Sequence, residues 1–172
     1  VFTATAADAA GNASESTITL SVNNIDDTAP TITSGGTASA IAENSGAGQV
    51  VYTVTSDDSA DVSGGVSYAL GGTDAALMSI DSASGAVTLT GNPDEESQAS
   101  YSFTVTATDA ASNSSEQAVT LSVTDLDEVA PSITSSATGL VVEDSGANKV
   151  VYTVTSDDSG DIATGATSYS LK

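Results

Sequence analysis

The chain has 172 residues, with 23 acidic and 2 basic side chains, no Cys, no His, and a formal net charge of -21. Phosphate backbones and anionic bilayers need a basic face that Lys149 and Lys172 cannot build, and no apolar run is long enough to span a membrane, so nucleic acid and direct membrane insertion are excluded. Disulfides and soft-metal sites are excluded too, whereas a hydrophobic content of 39% supports real cores and the carboxylates suit a hard cation such as Ca²⁺.

In chain order, residues 2–30 read FTATAADAAGNASESTITLSVNNIDDTAP and end in an acidic, Pro-containing linker at 23–30. Short strands are expected at 31–34 and 38–42. Val50, Tyr52 and Val54 then alternate with Val51, Thr53 and Thr55, which predicts a strand with the first set inward. Further strands are expected at 66–70, 78–80 and 86–90. Tyr101, Phe103, Val105 and Ala107 alternate with Ser and Thr, and Val119, Leu121 and Val123 do the same against Ala118, Thr120 and Ser122. Turns fall at Ser45-Gly46, Gly64-Gly65, Gly71-Gly72, Ser84-Gly85, Gly91-Asn92-Pro93 and Ala111-Ser112-Asn113. No 3.6-residue apolar period persists for three turns. The predicted core is Ile32, Ile41, Val50, Tyr52, Val54, Val66, Tyr68, Leu70, Leu77, Ile80, Val87, Leu89, Tyr101, Phe103, Val105, Val119, Leu121 and Val123. Tyr68 and Tyr101 lie on the apolar side of their runs, which favours core positions over exposed binding aromatics.

The chain repeats itself. Residues 2–30 return as FTVTATDAASNSSEQAVTLSVTDLDEVAP at 103–131, and AENSGAGQVVYTVTSDDSADV (42–62) returns as VEDSGANKVVYTVTSDDSGDI (142–162). A unit of about 100 residues with seven or so short strands is the size of a Greek-key sandwich. The expected division is 1–28, the last part of one repeat; 29–128, a complete repeat; and 129–172, the first part of a third. Neither end piece is expected to bury a full core alone.

The acids cluster at Asp26-Asp27, Glu43, Asp57-Asp58-Asp61, Asp94-Glu95-Glu96, Asp109 and Asp125-Asp127-Glu128. Crowded carboxylates repel unless something neutralises them, and with two basic residues in the chain the neutraliser is read as Ca²⁺, which takes six to eight oxygens. Solvated loop acids explain one such cluster, but not several that recur beside linkers.

These motifs resemble the cadherin-like repeats of large bacterial, type I-secreted (RTX-type) surface adhesins. The family linker V-x-D-x-N-D-N-x-P is matched by Val123, Asp125, Asp127, Glu128 and Pro131, and by Val22, Asn24, Asp26, Asp27 and Pro30. Its Glu-Asn is Glu43-Asn44, and Glu143-Asp144 in the next copy. Its F-x-I-D-x-x-T-G-x-I is LMSIDSASGAV, Leu77 to Val87. Its D-R-E is Asp94, Glu95 and Glu96, and its A-x-D-x-x-G is Ala107 with Asp109, and Ala6, Asp8 and Gly11. The family D-x-D is blurred to Asp57 and Asp58 with Asp61 nearby, and its downstream Asn falls near Ser63.

The resemblance implies an all-β, cadherin-like (immunoglobulin-like) tandem sandwich and two calcium junctions. The junction at 124–131 would take Glu43, Asp94 and Glu96 from upstream, Asp125, Asp127 and Glu128 from the linker, and Asp157 and Asp158 from downstream. The junction at 23–30 would take Asn24, Asp26, Asp27, Asp57, Asp58 and Asp109. Neither is expected to be complete in this chain, and the first is expected to be the weaker. The implied function is a calcium-stiffened extender of an adhesin on a bacterial surface or secreted, whose partners are its neighbouring repeats. The alternative is a module that itself binds a second copy or a surface carbohydrate. An enzyme is not expected: the acids lack clustered aromatics to hold sugar, and no nucleophile–base set exists. Two N-x-S sequons, at Asn12 and Asn113, are attributed to the abundance of Ser.

Overall fold

The computed structural model describes residues 1–62, 64–162 and 166–172; Ser63 lies outside them. The chain opens with strands β1 (Phe2–Ala7) and β2 (Ala13–Ile18), an antiparallel hairpin in which Phe2 faces Ile18. Its turn is closed by the Asp8 carboxylate, which accepts the N–H groups of Ala10 (2.9 Å) and Asn12 (2.8 Å). Short acidic side chains favour such turns because they can replace a backbone acceptor.

Nine strands follow. They are β3 (Thr31–Ile32), β4 (Ile41–Ala42), β5 (Gln49–Thr53), β6 (Ser56–Asp57), β7 (Val66–Gly71), β8 (Met78–Ile80), β9 (Ala86–Leu89), β10 (Ser100–Asp109) and β11 (Ser114–Thr124). One sheet has the order β4-β11-β10-β7, the other β5-β9-β8, and β3 pairs with β6. β4 runs parallel to β11, with Ile41 opposite Val123. The expected all-β sandwich is therefore the observed architecture. Period-2 patterning builds it: Tyr101, Phe103, Val105, Ala107 and Asp109 point inward from β10, with Ser and Thr between them. Val119, Leu121 and Val123 do the same on β11, and Val51, Val54, Met78, Val87 and Leu89 meet them from the opposite side. Each fully buried side chain of this kind contributes roughly 1.5–3 kcal/mol. Phe103 and Tyr52 pack edge to face, with ring centroids 6.0 Å apart.

Two core assignments move by one residue. Val50 is 62% exposed and Val51 is buried, because a bulge between Val50 and Tyr52 adds a residue to β5 and reverses the inward phase. Leu77 is 43% exposed and Met78 is buried, because Ala75–Leu77 forms a 3₁₀ turn and strand alternation begins only at Met78. Val66 is half-buried and is not among the residues packed on the core cluster.

Beyond residue 128 the local pairings recur. Strands β12 (Ser132–Ile133) and β13 (Ser156–Asp157) pair as β3 and β6 do, and the Ser156–Tyr169 hydrogen bond (2.8 Å) copies that of Ser56 and Tyr68 (2.8 Å). Among the described residues no sandwich core accompanies them. The buried hydrophobic residues all lie from Ala38 to Val123, while Phe2, Leu20, Leu140, Val150 and Leu171 are exposed.

Candidate metal centre

Two groups of carboxylates gather at the ends of the sandwich, each where a linker meets it. At the far end β11 stops at Thr124, and 125–128 leaves beside the end of β4. Glu43 follows β4 and is 1% exposed. Its N–H donates to Thr124 O (3.0 Å), and its carboxylate accepts the N–H of Glu95 (2.9 Å) and of Leu126 (2.5 Å). Those two donors hold the Glu43 carboxyl below its ordinary range, against the opposing effect of burial. Asn44 binds in parallel: its N–H reaches Pro93 O (2.9 Å) and its side-chain amide donates to Glu128 Oε2 (2.5 Å). The turn after Pro93 presents Asp94, tied to Ser97 by its N–H (3.1 Å) and Oγ (2.9 Å), with Glu95 and Glu96 next to it.

Two groups of three form here: Glu43 with Asp94 and Glu96, and Glu95 with Glu96 and Asp125. Within each, one oxygen per residue lies within 4.8 Å of the others. Asp125 Oδ1 is buried and has no hydrogen-bond partner among the described residues. Burial pushes the Asp125 carboxyl up, and the nearby charges of Asp161, Glu95 and Glu43 push it further. On Glu96 the local backbone N–H is the largest influence and favours the charged form, but lost hydration and the fields of Glu43, Asp161 and Asp125 outweigh it and leave the carboxyl raised.

At the near end Asp26, Asp58 and Asp109 form a third group within the same 4.8 Å limit. β10 ends at Asp109 and β6 at Asp57, so strand ends deliver Asp109 and the residue after Asp57 to the linker. Asp109 is 6% exposed. Burial opposes its charge, but hydrogen bonds from Asn113 and from the N–H groups of Ala111 and Ser112 prevail and keep its pKa low. Asn113 gives Asp109 its N–H (2.8 Å) and side-chain amide (2.9 Å), and the amide also reaches Asp26 O (3.2 Å). Ser115 Oγ donates to Pro30 O (2.5 Å). Asp26 is raised, first by burial and then by Asp109, Asp58 and Asp61, with the Thr28 N–H acting the other way.

Of the predicted residues, Asp26, Glu43, Asp58, Asp94, Glu96, Asp109 and Asp125 are brought together. Asn24, Asp27, Asp57, Asp127, Glu128, Asp157 and Asp158 lie outside these three groups. Asn24 holds Asp61, Asp57 and Asp157 each accept the N–H two residues on (Ser59 and Ser159, both 3.0 Å), and Glu128 pairs with Asn44. The blurred D-x-D resolves to Asp58, with Asp61 tied to Asn24. Sequence reading did not assign Glu95 or Asp161 to the far-end site, although Asp161 accepts the Glu128 N–H (3.0 Å). The equivalence of Asp161 to Asp61 was the available signal.

This donor set fits a divalent hard cation. Ca²⁺–oxygen distances are about 2.3–2.6 Å, so two ligands on one ion lie at most about 5 Å apart, which matches each group. The buried, unpartnered Asp125 oxygen lacks the donor or cation that such a group requires. No imidazole or thiolate is available to favour a softer metal.

Comparison with known proteins agrees on the fold. A model of the cadherin domain matches residues 37–124. The structure of protocadherin gammaB7 EC3-6, solved as a cis-dimer, is 28% identical with a TM-score of 0.59, over 77% of this chain and 34% of that one. The protocadherin GammaB4 extracellular domain is 26% identical with a TM-score of 0.56, over 70% of this chain and 21% of that one. Human protocadherin-24 EC1-2 is 19% identical with a TM-score of 0.59, over 79% of this chain and 62% of that one, a likeness of fold alone. The chain thus spans less than two thirds of each of these solved chains. No curated protein matches it. These matches, to the cadherin domain and to solved protocadherin structures, contradict the expected bacterial type I-secreted adhesin lineage and, with it, the expected bacterial surface location. The quoted motifs are chiefly runs of carboxylates, whose donor chemistry suits a hard cation without marking a lineage.

Proposed function

This chain belongs to the cadherin family, and on that premise we propose that it is a run of tandem cadherin repeats, 1–28, 29–128 and 129–172, whose linkers bind Ca²⁺ and whose surface engages a second copy. A cadherin-like repeat is an extracellular, non-catalytic module, and this chain is not an enzyme. The observation that carries the reading is the convergence of linker and repeat carboxylates to the span of one ion, Asp26 with Asp58 and Asp109, and Asp125 with Glu95 and Glu96. The remaining predicted ligands, Asn24, Asp27, Glu43, Asp57, Asp94, Asp127, Asp157 and Asp158, complete the two junctions as the linkers close on their ions, and Glu128, whose Oε2 accepts the Asn44 amide, adds its other carboxylate oxygen.

The physics is direct. At -21, copies of this chain repel each other and each linker repels its own flanks. A bound cation removes both penalties and stabilises the ordered junction through linkage. Neighbouring repeats then act as one rod and present a continuous face. Contact between copies, in preference to a distal binding domain carried on a stalk, is supported by the kinship with protocadherins, one of which was solved as a cis-dimer. Sedimentation velocity of the full chain, in calcium and in EDTA, tests this reading. A larger species that forms with concentration in calcium and dissolves in EDTA is the expected result. A monomer at every concentration in both buffers overturns self-recognition.

A further inference from the structure

Glu128 bonds to both sides of the far linker, through its side chain to one and through its backbone to the other. Its carboxylate accepts the side-chain amide of Asn44, from the repeat before it (2.5 Å). Its backbone N–H donates to Asp161 Oδ2, from the segment after it (3.0 Å). Two residues earlier, Glu43 accepts the Leu126 N–H (2.5 Å), so the linker is already seated on the upstream repeat. All three bonds join one protein group to another. We infer that Glu128 is the hub of a metal-independent latch across the far junction, and that Asn44 is the positioning residue that sets it.

The logic rests on what each side chain can donate. Among the groups that converge here, Glu43, Asp94, Glu95, Glu96, Asp125, Asp161 and Glu128 only accept when ionised. An amide at position 44 supplies a donor without adding charge, so it binds a carboxylate that any neighbouring acid would repel. Charge-assisted hydrogen bonds of this kind are about twice as strong as neutral ones. The other copies vary at these two positions within otherwise similar surroundings. Asp144 stands where Asn44 does, and Asp27, one methylene shorter, stands where Glu128 does. The acid at the third position is retained: Asp61 holds the Asn24 side chain at the first linker as Asp161 holds the Glu128 N–H at the second. A repeat with Asp at the Asn44 position cannot donate this bond, so its junction depends wholly on the cation, whereas the Asn44 junction keeps its direction without one. Junctions in one chain are thereby graded in calcium dependence.

This inference rests on reading 124–128 as a junction between repeats, but not on the identity of the ion. The test uses the full chain with no native cysteine to remove. Spin labels at S79C and S159C, both exposed and the second two residues from the latched Asp161, report the distance across the junction by pulsed electron resonance. In EDTA the parent is expected to give one narrow distance distribution. N44D, which sets carboxylate against carboxylate, is expected to lose it. The double variant N44D/E128Q restores the bond with donor and acceptor exchanged at the parent's net charge, and is expected to recover the narrow distribution in EDTA. A parent already as broad as N44D in EDTA, or a double variant as broad as N44D, overturns the latch. Urea unfolding of each variant shows that the central repeat remains folded. Repeating the series in calcium separates the two readings: if the order of widths in EDTA holds but calcium changes nothing, the latch stands and the calcium proposal fails.

Discussion

Phe103→Ala measures how much of the sandwich depends on one side chain. Phe103 is 1% exposed at the middle of β10 and packs edge to face on Tyr52. Truncating a buried Phe costs about 3–5 kcal/mol. Losing the aromatic pair adds about 0.5–1.5 kcal/mol. The total approaches the lower half of the stability of a whole domain, about 5–15 kcal/mol. For a repeat of this size each kcal/mol moves Tm by about 4–8 °C, so a drop of at least about 15 °C is expected. Thermal unfolding followed by near-ultraviolet circular dichroism reads it, with Phe103→Leu as the partial refill. Asp109 lies six residues along the strand, about 20 Å away, so the core loss and the gain from calcium should add. Calcium at a hundredfold excess over Kd should return about 2.7 kcal/mol per site to variant and parent alike. A midpoint unchanged by Phe103→Ala, or Phe103→Leu as damaging as Ala, refutes this packing argument.

Three further outcomes follow from particular residues. Isothermal titration should show a larger loss of calcium for Asp125→Ala than for Asp26→Ala, because five carboxylates converge at the far linker and three at the near one; equal losses would sink the ranking. Asp81 is held below its ordinary pKa by the Ser84 N–H and Oγ and the Ala83 N–H. Its folded value lies below its unfolded one, so its contribution is present above the unfolded pKa and disappears as pH falls through the folded one; Asp81→Ala should flatten the acid limb of stability between pH 5 and 2, about the range in which carboxylates titrate, and an unchanged limb contradicts it. Gly85 sits at φ +71°, where a Cβ would approach Val54 O to 2.6 Å. Left-handed backbone alone costs an L-residue about 1–2 kcal/mol, so Gly85→Ala should destabilise by at least that, whereas Gly91→Ala, with open space around it, should not; equal effects on thermal unfolding would refute the clash.

The sandwich was legible because side-chain alternation and the 100-residue repeat are properties of the chain itself. Tyr101, Phe103 and Val105 on β10, and Val119, Leu121 and Val123 on β11, follow period 2 without interruption, and all six are buried as expected. The errors came where geometry interrupts the period. The bulge in β5 exchanges Val50 for Val51, and the 3₁₀ turn exchanges Leu77 for Met78, and neither carries a local sequence mark. Ala38 is buried but too small to be told from filler, whereas the alternation already set the buried Ala107 on the apolar side of its run. Among the acids, composition and position beside linkers identified the clusters. Asp57, Asp58 and Asp61 are equivalent as letters, however, and only the end of β6 decides that Asp57 turns to Ser59 while Asp58 joins Asp26 and Asp109. Asp161 depended on how the third segment meets the linker, a contact between residues 33 positions apart. The lineage was misread because clustered linker carboxylates report donor chemistry suited to a hard cation, and that chemistry carries no mark of lineage.

Small-angle X-ray scattering in calcium and in EDTA, on a chain extended to whole repeats, tests the central claim most directly. A maximum dimension that stays fixed and rod-like in calcium, and broadens in EDTA to a flexible ensemble retaining partial order at Asn44-type junctions, is the predicted result. A profile indifferent to calcium would contradict it and reduce the linker carboxylates to a solvated surface.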